Sequence, residues 1–443
     1  MKRFVALVLA VMFALSMVSA CAEETETAKL VSAKWITQVL EWGETVTGVR
    51  FEYDDEIFSG DLQPAQFPTY SILTTRTCKA LYCNNSGKLG DAQAYGKYVF
   101  YEFAIADDFV NYTDYITFNE SSKVRERLSA VYAMQQHPLR TKSGKTVPAQ
   151  FVSLKNEIRY EIDKFITVDH PYTVNGESKP AQYHLYIPEE YDANGEALPL
   201  IVHFGHDTYT DYTGNLYGTL IANNSCTVWA EDDFQARHTA FVVTVGALAK
   251  PAMEVYKEVV DEICSAYNID TSRIYGVSYA GSTKNFWTFI ETYPDVLAAG
   301  FVASPSLSRE YGEAANAYTT YKTVTNTLPM WTFNGLNDLN NAAKWMLQLA
   351  EMAEADGLKV AVAYGEEGEG MWNGLLREDE ARELADSLMA DAAAIGADDM
   401  MTIYVPSTIL FTDHWSWACA FNNPGVQDWL MSQVNDAPYV IEK

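Results

Sequence analysis

The sequence predicts a mostly parallel α/β sheet with helices on both faces, preceded by a small β-sandwich. Three observations carry that reading. From about residue 166, strand-like apolar runs alternate with amphipathic helical stretches, the pattern of a parallel sheet with helical crossovers. Between about residues 29 and 165, short β-branched and aromatic runs are separated by Gly, Asn and Asp clusters, which is how strands and turns of a sandwich read. A chain of 443 residues is also long enough for two domains.

Residues 1–20 read as a signal peptide. Lys2 and Arg3 are followed by an apolar run from Phe4 to Met17 and by Val18-Ser19-Ala20 before a cleavage point. The run is short for a membrane-spanning helix. Val18-Ser19-Ala20-Cys21 resembles the bacterial lipobox, in which the cysteine is lipidated. That resemblance implies an extracytoplasmic protein, lipid-anchored through Cys21 with residues 21–28 as a tether, or secreted if cleavage is ordinary. Of the six cysteines, Cys78, Cys83, Cys226, Cys264 and Cys419 remain, an odd number that cannot all pair within one chain. Cys78 and Cys83 are spaced for a small loop disulfide. Lys and Arg total 31 against 59 Asp and Glu, a net charge of −28. That field repels polyanions such as nucleic acid and leaves a small neutral ligand open.

In the first domain, Val46–Tyr53, Lys79–Cys83 and Tyr98–Ile105 are the expected strands, and only Ser122–Met134 offers a helical period. The opening WITQVLEWGETVTGVRFEYDDEI resembles the immunoglobulin-like domain that precedes some bacterial esterases. In the second, Tyr183–Ile187, Leu200–Phe204, Ala240–Val245, Ile274–Val277, Gly300–Ala303 and Met330–Phe333 are expected strands. Met253–Tyr267 carries apolar residues at 255, 259, 260, 263, 264 and 267, one helical face. Further helices are expected before Pro294, over Ala342–Ala355 and Glu378–Ile395, and from Pro424, a favoured first-turn residue.

A serine nucleophile on a strand-to-helix turn needs small residues two before and two after it, because the turn packs its backbone closely. G-V-S-Y-A places Ser278 there; one frame later, S-Y-A-G-S places Ala280 there. Local sterics accept both. The segment IDTSRIYGVSYAGSTKNFWTFIETYPDVLAAGFVAS resembles the nucleophile region of α/β-hydrolases of the polyhydroxybutyrate-depolymerase-like and prolyl-oligopeptidase-like bacterial esterases. Laid on that pattern without a gap, Arg273-Ile-Tyr275 and Tyr293-Pro-Asp295 match, and the family serine falls on Ala280. Seating Ser278 there instead needs two residues inserted in the following helix, a rotation of about 200° that turns its buried face outward.

The same resemblance implies the other site residues. Pro329-Met-Trp-Thr-Phe-Asn-Gly-Leu-Asn-Asp338 is similar to P-x-W-x-x-H-G-x-x-D, which makes Asp338 the acid that orients the histidine, with Asn334 departing from the family His. Asp338 could equally cap the helix that follows. Asp413-His-Trp-Ser-Trp417, ahead of the Asn423–Gln433 ending, resembles the segment that carries the general base, here His414; packing among aromatics is its bland reading. The oxyanion loop falls on Gly205, His206 and Asp207, in the order Gly-His where the family has His-Gly. His203 and His206 make only a weak metal pattern, and no metal or cofactor is implied. Tyr279, Trp372, Trp415 and Trp417 are candidate aromatic lining. The resemblance implies a serine carboxylic-ester hydrolase acting on a small ester. The alternative, carried by Ala280, is an inactive hydrolase-like binding protein.

Overall fold

The computed structural model describes residues 26–40, 43–71, 74–104, 117–119, 124–126, 131–152, 154, 156–205, 216–247, 253–306, 312–324, 328–335, 338, 342–364, 401–405 and 417–441. The chain divides into two compact units, the second running from Tyr160 to the C-terminus with two short earlier segments, Val39–Glu44 and Phe118–Arg125.

The first unit is β structure. One sheet orders Asn156–Arg159, Leu30–Leu40, Gly43–Phe58, Tyr95–Phe103 and Cys78–Asn84; another orders Gln150–Val152, Val131–Gln135, Thr69–Ser71 and Thr74–Thr75. Alternate residues of the long strands, Val49, Phe51 and Tyr53 with Val99, Tyr101 and Phe103, point into one core that also takes in Phe67, Ala133 and Val152. Where it is described, the span Ser122–Met134 does not follow its helical period. Val124–Glu126 and Val131–Gln135 are strands, the latter paired on both sides with Thr69–Ser71 and Gln150–Val152. Sheet pairing outweighs a weak local helical preference.

The expected Cys78–Cys83 disulfide is also absent: both are free thiols. They lie on one strand, Cys78–Asn84, where five residues span about 16 Å at ~3.3 Å each. A disulfide needs Cα atoms within about 7 Å. Cys83 instead donates its thiol to the Ile57 carbonyl at 3.2 Å, and burial raises the pKa of both thiols.

The second unit is a nine-stranded sheet. In chain order the strands are β1 (Phe165–Asp169), β2 (Ala181–Tyr186), β3 (Leu198–Phe204), β4 (Phe241–Ala247), β5 (Ile269–Tyr279), β6 (Ala299–Ala303), β7 (Met330–Phe333), β8 (Val360–Tyr364) and β9 (Met401–Val405). Their spatial order is β1-β2-β4-β3-β5-β6-β7-β9-β8. β2 runs antiparallel to β1 and β4; from β4 to β8 the neighbours are parallel.

Both faces are covered. Leu200, Val202 and Phe204 of β3 face a core built with α1 (Met253–Ala266), α2 (Thr283–Thr292), α3 (Ala314–Val324) and α4 (Ala342–Ala355). The intervening residues of the central strands, among them Ile201, Tyr275, Val277, Phe301 and Trp331, face a second core. That core is closed by short helical turns around Leu220 and Phe234 and by α5 (Trp417–Phe421) and α6 (Pro424–Ser432). The buried stripe of α1, Val255, Val259, Val260 and Ile263 among others, is the face its periodicity indicates. α6 starts with Pro424 in its first turn, and the Asn423 side chain accepts the N–H groups of Gly425 and Val426 at 2.9 and 3.3 Å, satisfying two donors the helix cannot. The expected helix Glu378–Ile395 lies outside the described residues.

Reducing agent is expected to leave the melting temperature unchanged. Alkylation of the unfolded, unreduced protein should label both Cys78 and Cys83 by peptide mass.

Candidate active site

β5 enters the centre of the sheet, paired with β3 and β6, and must reverse into α2 within three residues, Ala280–Ser282. Tyr279 is still extended, at φ −149° and ψ 158°. The next residue, Ala280, is left-handed at φ 46°, a region that L-residues adopt only at a cost of about 1–2 kcal/mol. The tip of the strand-to-helix turn is therefore Ala280.

Ser278 is two residues lower, inside β5, in register with Phe204 on one side and Val302 on the other. Its side chain is fully buried, and its hydroxyl has no hydrogen-bond partner among the described residues. Strand alternation puts it on the face of Ile274, Phe204 and Val302, which packs beneath the helices α1 to α4. Ser282 ends the turn with its hydroxyl committed: it accepts the Tyr279 N–H at 3.1 Å and donates to the Tyr279 carbonyl at 2.5 Å. Nothing in the residue pattern announced this staple, because a serine at that position reads simply as small.

Asp338 follows β7, is buried, and its N–H donates to the Gly335 carbonyl at 3.2 Å. Asn334 is fully buried, and its amide donates to Thr332 Oγ1 at 3.0 Å while its side-chain oxygen has no partner among the described residues. Gly205 follows β3; a Cβ there would sit 2.1 Å from Thr219 Cγ2, so only glycine fits. His206 and Asp207 of the oxyanion loop, the general-base candidate His414, the lipidation candidate Cys21, and Trp372 and Trp415 all lie outside the described residues. Tyr279 and Trp417 are described, both buried, their ring centroids 5.3 Å apart. They are packed walls.

His203 is a support beneath the turn. Its Nδ1 lies 2.9 Å from Thr244 Oγ1 and its Nε2 2.9 Å from Ser225 Oγ. Its ring stacks near Tyr279 at 6.2 Å. Complete burial pulls its pKa down from its ordinary 6.5 to about 3, so it stays neutral. Among the described residues no group of His, Cys, Asp and Glu could hold a metal ion, and no helix is long and apolar enough to cross a membrane.

Residues 32–148 match the family model described as the esterase Ig-like N-terminal domain. No curated protein matches this sequence. Among solved structures, a thermostable esterase is similar over 91% of this chain and 100% of its own, with a TM-score of 0.67 and 20% identity. The BES protein from Bacillus cereus covers 66% of this chain with 100% of its own at 10% identity and TM-score 0.37. A Pyrobaculum calidifontis esterase covers 52% with 87% of its own at 14% and 0.35. The fold is that of an α/β-hydrolase, preceded in sequence by a domain that matches the esterase Ig-like N-terminal model. The sharp, left-handed strand-to-helix turn after β5 is of the strained kind such a fold carries.

A pH test reads the His203 support. Below about pH 6.5 the unfolded chain protonates this histidine, whereas the folded chain does not until about pH 3. Its neutral burial therefore contributes fully above pH 6.5 and is lost as pH falls from 6.5 toward 3, by up to about 1.4 kcal/mol per pH unit. In urea titrations between pH 7 and 4, His203→Gln should be less stable at pH 7 but show a shallower decline than wild type.

Proposed function

We propose that the second unit is a hydrolase-like binding domain for a small ester or related neutral ligand, and that it does not cleave esters through a serine nucleophile. The observation that supports this reading is Ala280 at the left-handed tip, φ 46°. A methyl group cannot attack a carbonyl, and loss of the nucleophile lowers kcat by on the order of 10⁶ in enzymes of this type. Neither neighbouring serine substitutes for it. Ser278 is buried within the strand beneath helices, and Ser282 is bonded to Tyr279.

The rival reading is an active serine carboxylesterase with Ser278, Asp338 and His414 as nucleophile, acid and base. Turnover of p-nitrophenyl acetate together with fluorophosphonate labelling separates the two. Wild type and Ser278→Ala should both stay unlabelled. Ala280→Ser puts a hydroxyl on the tip and should gain labelling and turnover of about 10²-fold or more over wild type. Wild-type labelling that disappears in Ser278→Ala would overturn the proposal.

Export and anchoring belong to the same reading. Lys2, Arg3, the apolar run and Val18-Ser19-Ala20-Cys21 support a bacterial lipoprotein held at the membrane surface through Cys21. In a bacterial host, Cys21→Ser should move the protein from the detergent-soluble membrane fraction to the aqueous one. Retention in the membrane fraction would count against the anchor.

A further inference from the structure

Ala280 is not the only strained residue at this edge of the sheet. Ser304, the first residue after β6, also has φ 46°. Tyr279 is paired with Ala303, so the two left-handed residues emerge side by side from adjacent strands. Ser304 is also followed by Pro305, whose ring pushes a preceding residue toward extended backbone. A fully buried serine is thus held in a conformation disfavoured twice over, and such strain persists only where the surroundings over-determine it.

Two backbone bonds flank the turn, one before it and one after it. The Ser304 N–H donates to the Phe333 carbonyl at 2.8 Å, and the Ser306 N–H donates to the Ala280 carbonyl at 3.0 Å. The first grips the end of β7, on the segment that continues through Asn334 to Asp338. The second grips the tip of the elbow itself. The first bond is the last rung of the β6–β7 ladder, in register with the Ala303–Phe333 pair, and lies before the turn; the left-handed turn at Ser304 then redirects the chain so that Ser306 reaches the elbow on the other neighbouring strand. We propose that Ser304-Pro305-Ser306 is a positioning clasp, with Ser304 as its positioning residue, that sets the elbow at 280 against the acid-bearing segment at Asp338. This rests on Ala280 being the elbow of the functional site.

Three substitutions separate a clasp from plain packing. Ser304→Gly keeps the left-handed turn without strain. Ser304→Val, β-branched, is a poor occupant of φ > 0. Ser306→Pro removes the N–H that holds Ala280. In the Ala280→Ser background, Ser304→Val and Ser306→Pro should each lower kcat about 10- to 100-fold with KM within about twofold, since small misplacements of reacting groups act on kcat. Ser304→Gly should restore kcat to within a few-fold of the parent.

Amide hydrogen exchange on the otherwise unaltered chain gives a readout that needs no activity. Ser306→Pro should speed exchange about tenfold or more in peptides covering 278–284 and 330–338 and leave 253–266 unchanged. Ser304→Val should do the same and serves if Ser306→Pro does not fold. Unchanged exchange in both peptides, or equal acceleration in 253–266, would overturn the clasp. If exchange responds as expected while Ala280→Ser shows no turnover, the clasp stands and the reading of the elbow fails on its own.

Discussion

Phe286 of α2 occupies the space that a side chain would need at two neighbouring strand positions. A Cβ at Gly276 would lie 2.6 Å from its Cε2, and one at Gly300 would lie 2.4 Å from its Cζ. The two glycines are paired across β5 and β6, and together they form a flat seat on the sheet. Helix α2 can therefore lie close, and the chain has only Ala280–Ser282 in which to reverse from strand to helix. A reversal that tight forces a left-handed residue at its tip and small residues around it. The position of the candidate site is thus a consequence of how one phenylalanine is housed.

The same constraint explains why the turn is supported from several directions. A left-handed alanine is not stable by its own preference, and the surrounding contacts supply what it lacks. Ser282 staples both backbone groups of Tyr279, and Ser306 takes the carbonyl of Ala280. Below, the neutral His203 bridges Thr244 and Ser225 and lies against Tyr279. A buried histidine with both ring nitrogens satisfied adds rigidity at little desolvation expense, whereas a charged one would not be tolerated there. By contrast, the hydroxyl of Ser278 is buried without a partner among the described residues, a feature that usually costs ~1–3 kcal/mol. A position where glycine or alanine would be cheaper carries a serine, and packing alone gives no reason for it.

Much of the architecture was legible residue by residue. Ala342–Ala355 and Met330–Phe333 have the limits expected of them, and Pro424 opens the last helix. These segments read well because burial on one face imprints a local period of 3.6 or 2. Boundaries were less legible: β5 extends from Ile269 to Tyr279, because its outer residues are polar and are strand only by pairing with β3 and by the turn that follows. Val131–Gln135 misled for the related reason that its partners, Thr69–Ser71 and Gln150–Val152, are distant in sequence. The Cys78–Cys83 pairing failed on reach, since proximity in sequence is separation in space along an extended strand.

The sequence by itself determined that a mostly parallel, doubly covered sheet follows a β domain, and it narrowed the elbow to two overlapping frames. Both frames satisfy the same local steric rule, so no short-range argument could choose between Ser278 and Ala280. The tertiary structure supplies their positions: Ser278 lies level with Phe204 and Val302 inside the sheet, and Ala280 lies beyond its edge with a left-handed φ. It also revealed the clasp at Ser304–Ser306, made of backbone bonds, and the staple at Ser282, whose hydroxyl bonds the Tyr279 backbone; burial periodicity encodes neither. Side-chain periodicity records burial; the placement of a tight turn is settled by the packing of everything around it.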